Sequence, residues 1–337
     1  MPGAPAPGEG GAADEPVLAV HIGAVQIAAG LIDGQGRVNG RATAAAPVEQ
    51  GGEAVLRAAI ELARSVAGEA RPSSVGIGAL GLIDAERGVV VRAPDDLPGA
   101  AGTLAGWAGA DLAGAFAAEF SVPAVALNEV HARALGEARH GAGSAARSMV
   151  LVSVGAGVGG ACVLDGQVVR GAHGVAGQVG HLPVPAAAGV SCRCGGTGHL
   201  EAVACDAGIL AAYRAAVQAR GAAGRAEYDV ADTREIAQKA REFSAAGELC
   251  KSVLTQAGHV LGRAVGTLLN LFDPDVVVLA GDVPQLPGQA WSIGVSAGVA
   301  REALAPVADS KIAVARLGDD AVLVGAAAFA RDRAAAG

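Results

Sequence analysis

An apolar run at Val17–Ile22 stops at Gly23, a second at Val25–Ile32 follows a short turn, and a third at Arg37–Ala44 follows Gly34-Gln35-Gly36. Short aliphatic runs closed by glycine turns predict an antiparallel three-stranded meander. Helical spacing over Glu53–Ala67, strands at Ser74–Leu80 and Gly88–Val91, a helix over Ala110–Phe120 and a buried strand at Val122–Leu127 come next. A second series then begins: a helix over Glu129–His140, a strand at Ser148–Ser153, a glycine turn at Gly155–Gly160, and strands at Gly160–Leu164 and Gln167–Val169. Helices are expected over Ala202–Arg220, Thr233–Phe243 and Ala246–Leu271, strands at Val276–Ala280 and Ile312–Ala315, and a closing helix over Ala321–Arg331. A meander with a glycine turn thus occurs near residue 23 and again near residue 157, each followed by alternating helices and strands. This order predicts an α/β architecture with an internal repeat, the two halves leaving a cleft.

Composition narrows the function classes. A chain of 337 residues suggests two domains or one large one. Hydrophobic residues make up 52% but aromatic ones only 3%, so the core must be built from Val, Leu, Ile and Ala. A net charge of −8 argues against a large basic face for nucleic acid. Residues 1–16 are rich in Pro, Gly and acids and are expected to be disordered, without the charged-then-apolar pattern of a signal peptide. The apolar stretch Ser252–Phe272 is interrupted by Gln256, His259 and Arg263, which marks a core helix and not a membrane span. Five cysteines, two of them in a Cys-x-Cys pair, suit a reducing cytoplasm. Cys162, Cys205 and Cys250 read as small core residues.

Candidate chemistry concentrates between Gly180 and Glu201, where His181, Cys192, Cys194 and His199 offer two imidazoles and two thiols. That is a ligand set a closed tetrahedral zinc site uses, and the glycines beside the thiols let the backbone turn tightly. A glycine-rich loop with incidental cysteines is the alternative. His181 has two candidate roles, metal ligand and sugar contact, which one ring can serve through its two nitrogens. Glu201 can accept hydroxyl hydrogens or simply complement a helix start. Glycines at 155, 157, 159 and 160 can bring backbone N–H groups close to an anion, or form a plain hairpin. Asn128 can exchange hydrogen bonds with a hydroxyl while Glu129 takes its proton, or the two can begin a helix.

These segments together resemble the ROK family (repressor, open reading frame, kinase) of sugar kinases and sugar-responsive repressors, over Val17–Ala328. Gly155–Gly160 is similar to its second phosphate loop, and Gly180-His181 through Cys192-x-Cys194 and His199-x-Glu201 to its sugar-and-zinc segment. Asn128-Glu129 with Ala134–Glu137 is similar to its catalytic Asn-Asp segment, and Leu317–Ala321 with Gly325–Ala327 to its adenine-side segment. The resemblance implies the actin-like, hexokinase-type pair of ribonuclease-H-like domains with a central cleft, closing over a hexose and ATP-Mg, and a homodimer. Residues 17–127 with a closing helix at 321–333 would form the first domain, and 128–320, including the zinc loop 181–201, the second. It implies Glu129 as general base. Asn128, Gln178, His181, Glu201 and Asp96 would hold the sugar, Gly23, Gly155, Gly157, Gly159, Gly281 and Gly318 would lie at the nucleotide, and His181, Cys192, Cys194 and His199 would hold structural zinc.

The chain departs from that family on the phosphate side. The family's first phosphate loop, Asp-x-Gly-Gly-Thr, reads His21-Ile22-Gly23-Ala24-Val25 here, which removes a carboxylate that helps manage Mg²⁺ and a hydroxyl donor. Its catalytic Asp is Glu129, its sugar-binding Glu is Gln178, its Asn before Leu-Pro-Gly is Asp96, and its third zinc Cys is His199. A general base supplies typically about 10²–10⁴-fold, and transition-state electrostatics is usually the largest contribution. Several losses on one side therefore lead to the expectation of a carbohydrate or sugar-phosphate sensor with a degenerate kinase site. The alternative is an active, glucokinase-like ATP-dependent kinase with Glu129 as base. A DNA-binding repressor is disfavoured, since only the short tail precedes the first strand.

Overall fold

Aliphatic runs closed by Gly, Asp or Pro become the strands of two five-stranded sheets and one two-stranded sheet, and alanine-rich stretches between them become helices. The computed structural model describes residues 15–93 and 104–336. They fall into two compact units, one of residues 15–93, 104–136 and 322–336, the other of 137–321. The first opens with β1 (Val17–Ile22), β2 (Gln26–Ile32), β3 (Val38–Ala45) and α1 (Gly52–Ala67). It continues through β4 (Val75–Ala79), β5 (Leu82–Asp84), β6 (Val89–Arg92), α2 (Leu112–Phe120), β7 (Ala124–Asn128) and the start of α3 (Glu129–His140). Its main sheet has the order β3-β2-β1-β4-β7, an antiparallel meander extended by two strands parallel to β1.

The second unit holds β8 (Ser148–Val154), β9 (Val158–Leu164), β10 (Gln167–Val168), α4 (Glu201–Ala204), α5 (Asp206–Ala219), α6 (Thr233–Lys239), α7 (Ala245–Phe272), β11 (Val276–Ala280), α8 (Ala290–Glu302) and β12 (Ile312–Val314). Its sheet order, β10-β9-β8-β11-β12, repeats the first: a meander, then parallel strands. The last helix, α9 (Ala321–Ala336), returns to the first unit, where Leu323, Ala327 and Ala330 pack on Val17, Ala19 and Ala28. On the opposite face Val55, Ala59 and Ala63 of α1 and Phe116 of α2 are buried with Leu18, Val20 and Ile77. The fold is the duplicated α/β topology of the actin-like class. No helix among the described residues is long and apolar enough to cross a membrane.

Three departures from the expected elements have physical causes. The boundary between units falls after Gly136 and not at residue 127, so Asn128 and Glu129 belong to the first unit. The helix expected over 202–220 is broken at Cys205, whose extended backbone (ψ 169°) frees the Asp206 N–H to donate to the Gly155 carbonyl at 2.9 Å. An entire helix, α8, was not expected, because Gly294 and Gly298 weaken it. Packing overrides the propensity: a Cβ at Gly294 would lie 2.1 Å from the Thr255 carbonyl, and one at Gly298 2.2 Å from that of His259. On the α7 side, a Cβ at Gly258 or Gly262 would lie 2.1 Å from the carbonyl of Trp291 or Val295. The two helices meet backbone to backbone, and only glycine permits it.

Glu137, from the Ala134–Glu137 segment, is fully buried. Its carboxylate accepts from the backbone N–H groups of Ala142 (2.8 Å), Arg316 (3.0 Å) and Leu317 (2.8 Å), tying the end of α3 to the segment after β12. Leaving a buried donor unpaired costs about 1–3 kcal/mol each. Glu137→Ala should therefore destabilise the protein by about 3 kcal/mol or more, read as a lower urea midpoint at unchanged slope.

Candidate functional site

On the first unit the candidate residues gather at one edge of the sheet, where β1 ends beside the start of α3. Gly23 opens the β1–β2 turn, its N–H donating to the Gln26 carbonyl at 3.0 Å. Val25, in the same turn, is 83% exposed and offers no hydroxyl. Asn128 ends β7 and serves its own protein: its Oδ1 accepts from Val130 N–H at 2.8 Å, as a helix cap does, and its Nδ2 donates to the Gly81 carbonyl at 2.8 Å. One amide hydrogen of that Nδ2 remains for a ligand. Glu129 begins α3, and its Oε2 lies 2.9 Å from His21 Nε2. This contact, across 108 positions of sequence, joins two of the departures from the family pattern.

The Glu129 carboxylate is held below the usual range. Burial pushes its pKa up, but the His21 hydrogen bond and charge, with Arg133 one turn along α3, outweigh it. The carboxylate is therefore ionised at neutral pH, as a proton acceptor must be. A depressed folded-state pKa contributes stability above the unfolded value, about 4.3, and loses it as pH falls through the folded value. The melting-temperature advantage of wild type over Glu129→Gln should accordingly be present at about pH 5 and shrink progressively as acidification carries the pH below about 4.3.

On the second unit the glycine turn is tighter than expected. It spans residues 155–157, since Gly159 already pairs with Ser153 in the β8–β9 ladder. Gly155 N–H closes the turn on the Gly157 carbonyl at 3.0 Å, and Val158 N–H donates to Glu201 Oε2 at 3.0 Å. A Cβ at Gly157 would stand 2.8 Å from that same carboxylate oxygen. Glu201, which begins α4, is thus fixed to the turn, and the Ala156 and Gly157 N–H groups are those left to face an anion. Gly281, just after β11, has φ +89° and sits where a Cβ would lie 2.3 Å from the Val154 carbonyl, so only glycine fits. Gly318 has φ +54°, in the left-handed region that favours glycine, and a Cβ built there would meet nothing within 4 Å. A cleft of about 320 Å³ lined by Asp206, Leu210, Thr233, Asp282 and Leu286 adjoins this turn. Burial pushes the Asp206 carboxyl up, with the like charges of Asp282 and Asp232 adding to it against a Thr233 hydrogen bond. These lining residues were missed from sequence; a Gly-Asp pair closing a buried strand was the available signal.

The loop between Gly180 and Glu201 folds as a small ribbon, with bridges at Pro183–His199 and Ser191–Thr197 and a turn in which Cys192 N–H donates to the Gly196 carbonyl at 2.8 Å. It brings all four expected donors together: ligand atoms of His181, Cys192, Cys194 and His199 lie within 4.8 Å of one another. His181 Nδ1 is 3.4 Å from His199 Nδ1, which is 3.2 Å from Cys194 Sγ. Two nitrogens at tetrahedral zinc distances would be about 3.3 Å apart, so the cluster fits such an ion. Burial raises the Cys192 thiol pKa, and a bound cation would reverse that. With His181 Nδ1 turned into the cluster, its Nε2 is the nitrogen available to a sugar. Gln178 is exposed, just before that His181 turn. Asp96 lies outside the described residues.

A family profile described as the ROK family matches residues 17–333. The chain is 31% identical to a glucokinase of Halalkalibacterium halodurans over 258 residues, 74% of each protein. It is 29% identical to a xylose repressor of Caldicellulosiruptor bescii, over 76% of this chain and 61% of that one. Among solved structures, a ROK family glucokinase from Streptomyces griseus in complex with glucose and AMPPNP superposes with a TM-score of 0.77 at 25% identity, covering 94% of this chain and 99% of that one.

Proposed function

Because the chain belongs to the ROK family, we propose that it is an ATP-dependent sugar kinase, with Glu129 as general base, and not the turnover-free sensor that its phosphate-side departures suggest. The observation that carries the reading is the Glu129 carboxylate, ionised and fixed at the first residue of α3 next to Asn128. Similarity to glucokinases, one solved with glucose and AMPPNP, supports the same choice.

In the reaction so assigned, a sugar hydroxyl oxygen bonds to the γ-phosphorus of ATP. The bond from that phosphorus to the bridging oxygen breaks, ADP leaves with the electron pair, and the hydroxyl proton passes to Glu129. Asn128, Gln178, His181 Nε2 and Glu201 orient the sugar, with Asp96 carried over from the family. The backbone N–H groups of Ala156 and Gly157 face the phosphates, Gly281 and Gly318 shape the nucleotide site, and Mg²⁺ arrives with ATP. Zinc held by His181, Cys192, Cys194 and His199 supplies structure: the ribbon ending at Glu201 keeps the sugar-binding carboxylate against the phosphate turn. A homodimer belongs to the same proposal.

The test is ADP release with ATP-Mg and a panel of hexoses, N-acetylhexosamines and cyclitols. Turnover that depends on one sugar class is the expected result. Thermal stabilisation by a sugar without turnover would overturn the kinase reading in favour of a sensor, the reading that the exposed, hydroxyl-free Val25 turn favours.

A further inference from the structure

Glutamate carries one methylene more than the aspartate it replaces, so a carboxylate starting from the same Cα reaches further and has one more torsion to fix. A catalytic group displaced by about 1 Å can cost on the order of 10² in rate. A bare Asp-to-Glu change therefore predicts a sluggish base. The structure contains a feature that answers this. His21, at the end of β1, projects its Nε2 to within 2.9 Å of Glu129 Oε2, and among the described residues no hydrogen bond engages Oε1.

We infer that His21 is a positioning residue for Glu129: the imidazole holds Oε2, stops the longer side chain from wandering, and presents Oε1 to the sugar hydroxyl. This deepens the kinase reading above and rests on it. On this account His21 and Glu129 are one compensated change, an imidazole–carboxylate pair standing where the family carries two aspartates. The difference is chemical as well as steric. Two neighbouring carboxylates repel and need a cation between them, whereas an imidazole donor and a carboxylate satisfy each other.

The surroundings leave this pair electrostatically simple. The strands beside His21, β2 and β4, and the strand leading to Glu129, β7, carry no ionisable residue. On α3, Arg133 adds positive charge toward Glu129, and His131 is the remaining titratable group on that helix's first turn, buried at 4% exposure. Gly23 keeps the turn beyond His21 slim: a Cβ there would stand 3.3 Å from the imidazole Nε2.

Two measurements on the full chain test the inference. The first is ¹⁵N NMR of the imidazole in wild type and Glu129→Ala at neutral pH. The expected result is a protonated Nε2 in wild type, with the pattern changed in the variant. A bare Nε2 in wild type, or an identical pattern in both proteins, overturns the pairing whether or not the protein turns over sugar. The second compares His21→Ala with His21→Gln, using D-glucose or whichever panel sugar the wild type phosphorylates. His21→Ala should lower kcat by about 10²-fold with KM for sugar within about threefold. His21→Gln, whose amide reaches the same oxygen, should recover at least tenfold of that loss. Wild-type kcat in His21→Ala overturns the positioning role while leaving the kinase assignment standing. An inactive wild type with the expected ¹⁵N signature sinks the kinase assignment and leaves the pairing.

Discussion

Glu129→Gln is expected to lower kcat for sugar phosphorylation by about 10²–10⁴-fold, with the fold and sugar affinity preserved. The substitution keeps the side chain's length and leaves an amide oxygen to accept from His21 at the 2.9 Å contact. What it removes is the capacity to take a proton. A group used only as the hydroxyl is deprotonated acts in the transition state and not in the ground state, so the loss falls on kcat while KM stays close to wild type. Steady-state kinetics with saturating ATP-Mg, beside a thermal melt at neutral pH, separates this from misfolding. Unchanged kcat in a well-folded Glu129→Gln would remove Glu129 from the reaction.

Loss of the proposed zinc is expected to have the second large effect. Structural zinc contributes on the order of 10–16 kcal/mol of apparent binding in small sites, and the ribbon from Pro183 to His199 has few other anchors: two isolated bridges and a handful of backbone hydrogen bonds. Cys194→Ser, or a chelator, should release about one zinc per chain and lower the melting temperature on the order of 10 °C. The sheet of the second unit has its own core, with Val150, Val152, Leu261, Val265, Val277 and Leu279 buried together, so the unit should stay folded while its sugar-side ribbon loosens. Sugar-induced stabilisation should disappear as nucleotide-induced stabilisation persists. Elemental analysis finding no zinc in protein purified without chelator would overturn the metal assignment.

What sequence alone made legible was local. The β11 strand at Val276–Ala280 and the α3 helix at Glu129–His140 match their expected bounds, because an unbroken aliphatic run and a capped helix declare themselves within a few residues. The convergence of His181, Cys192, Cys194 and His199 was legible for the same reason, the four donors falling between positions 181 and 199. Contacts between distant segments were not. Nothing near His21 announces Glu129, and nothing near Cys205 announces that the Gly155 carbonyl needs the next N–H. Glu137 looks like any helix carboxylate until the chain returns, about 180 positions later, with two bare N–H groups. The α8 helix was missed because its glycines count as breakers in isolation and as contact surface only once α7 is present.

That glycine seam has a consequence for how the protein tolerates change. Helices separated by side chains can slide a little, since rotamers absorb the displacement. Where Gly258 and Gly262 face the carbonyls of Trp291 and Val295, and Gly294 and Gly298 those of Thr255 and His259, there is no such cushion, and α7 and α8 must shift as one beam or not at all. A single added methyl at any of the four would act as a wedge driven against a facing backbone carbonyl.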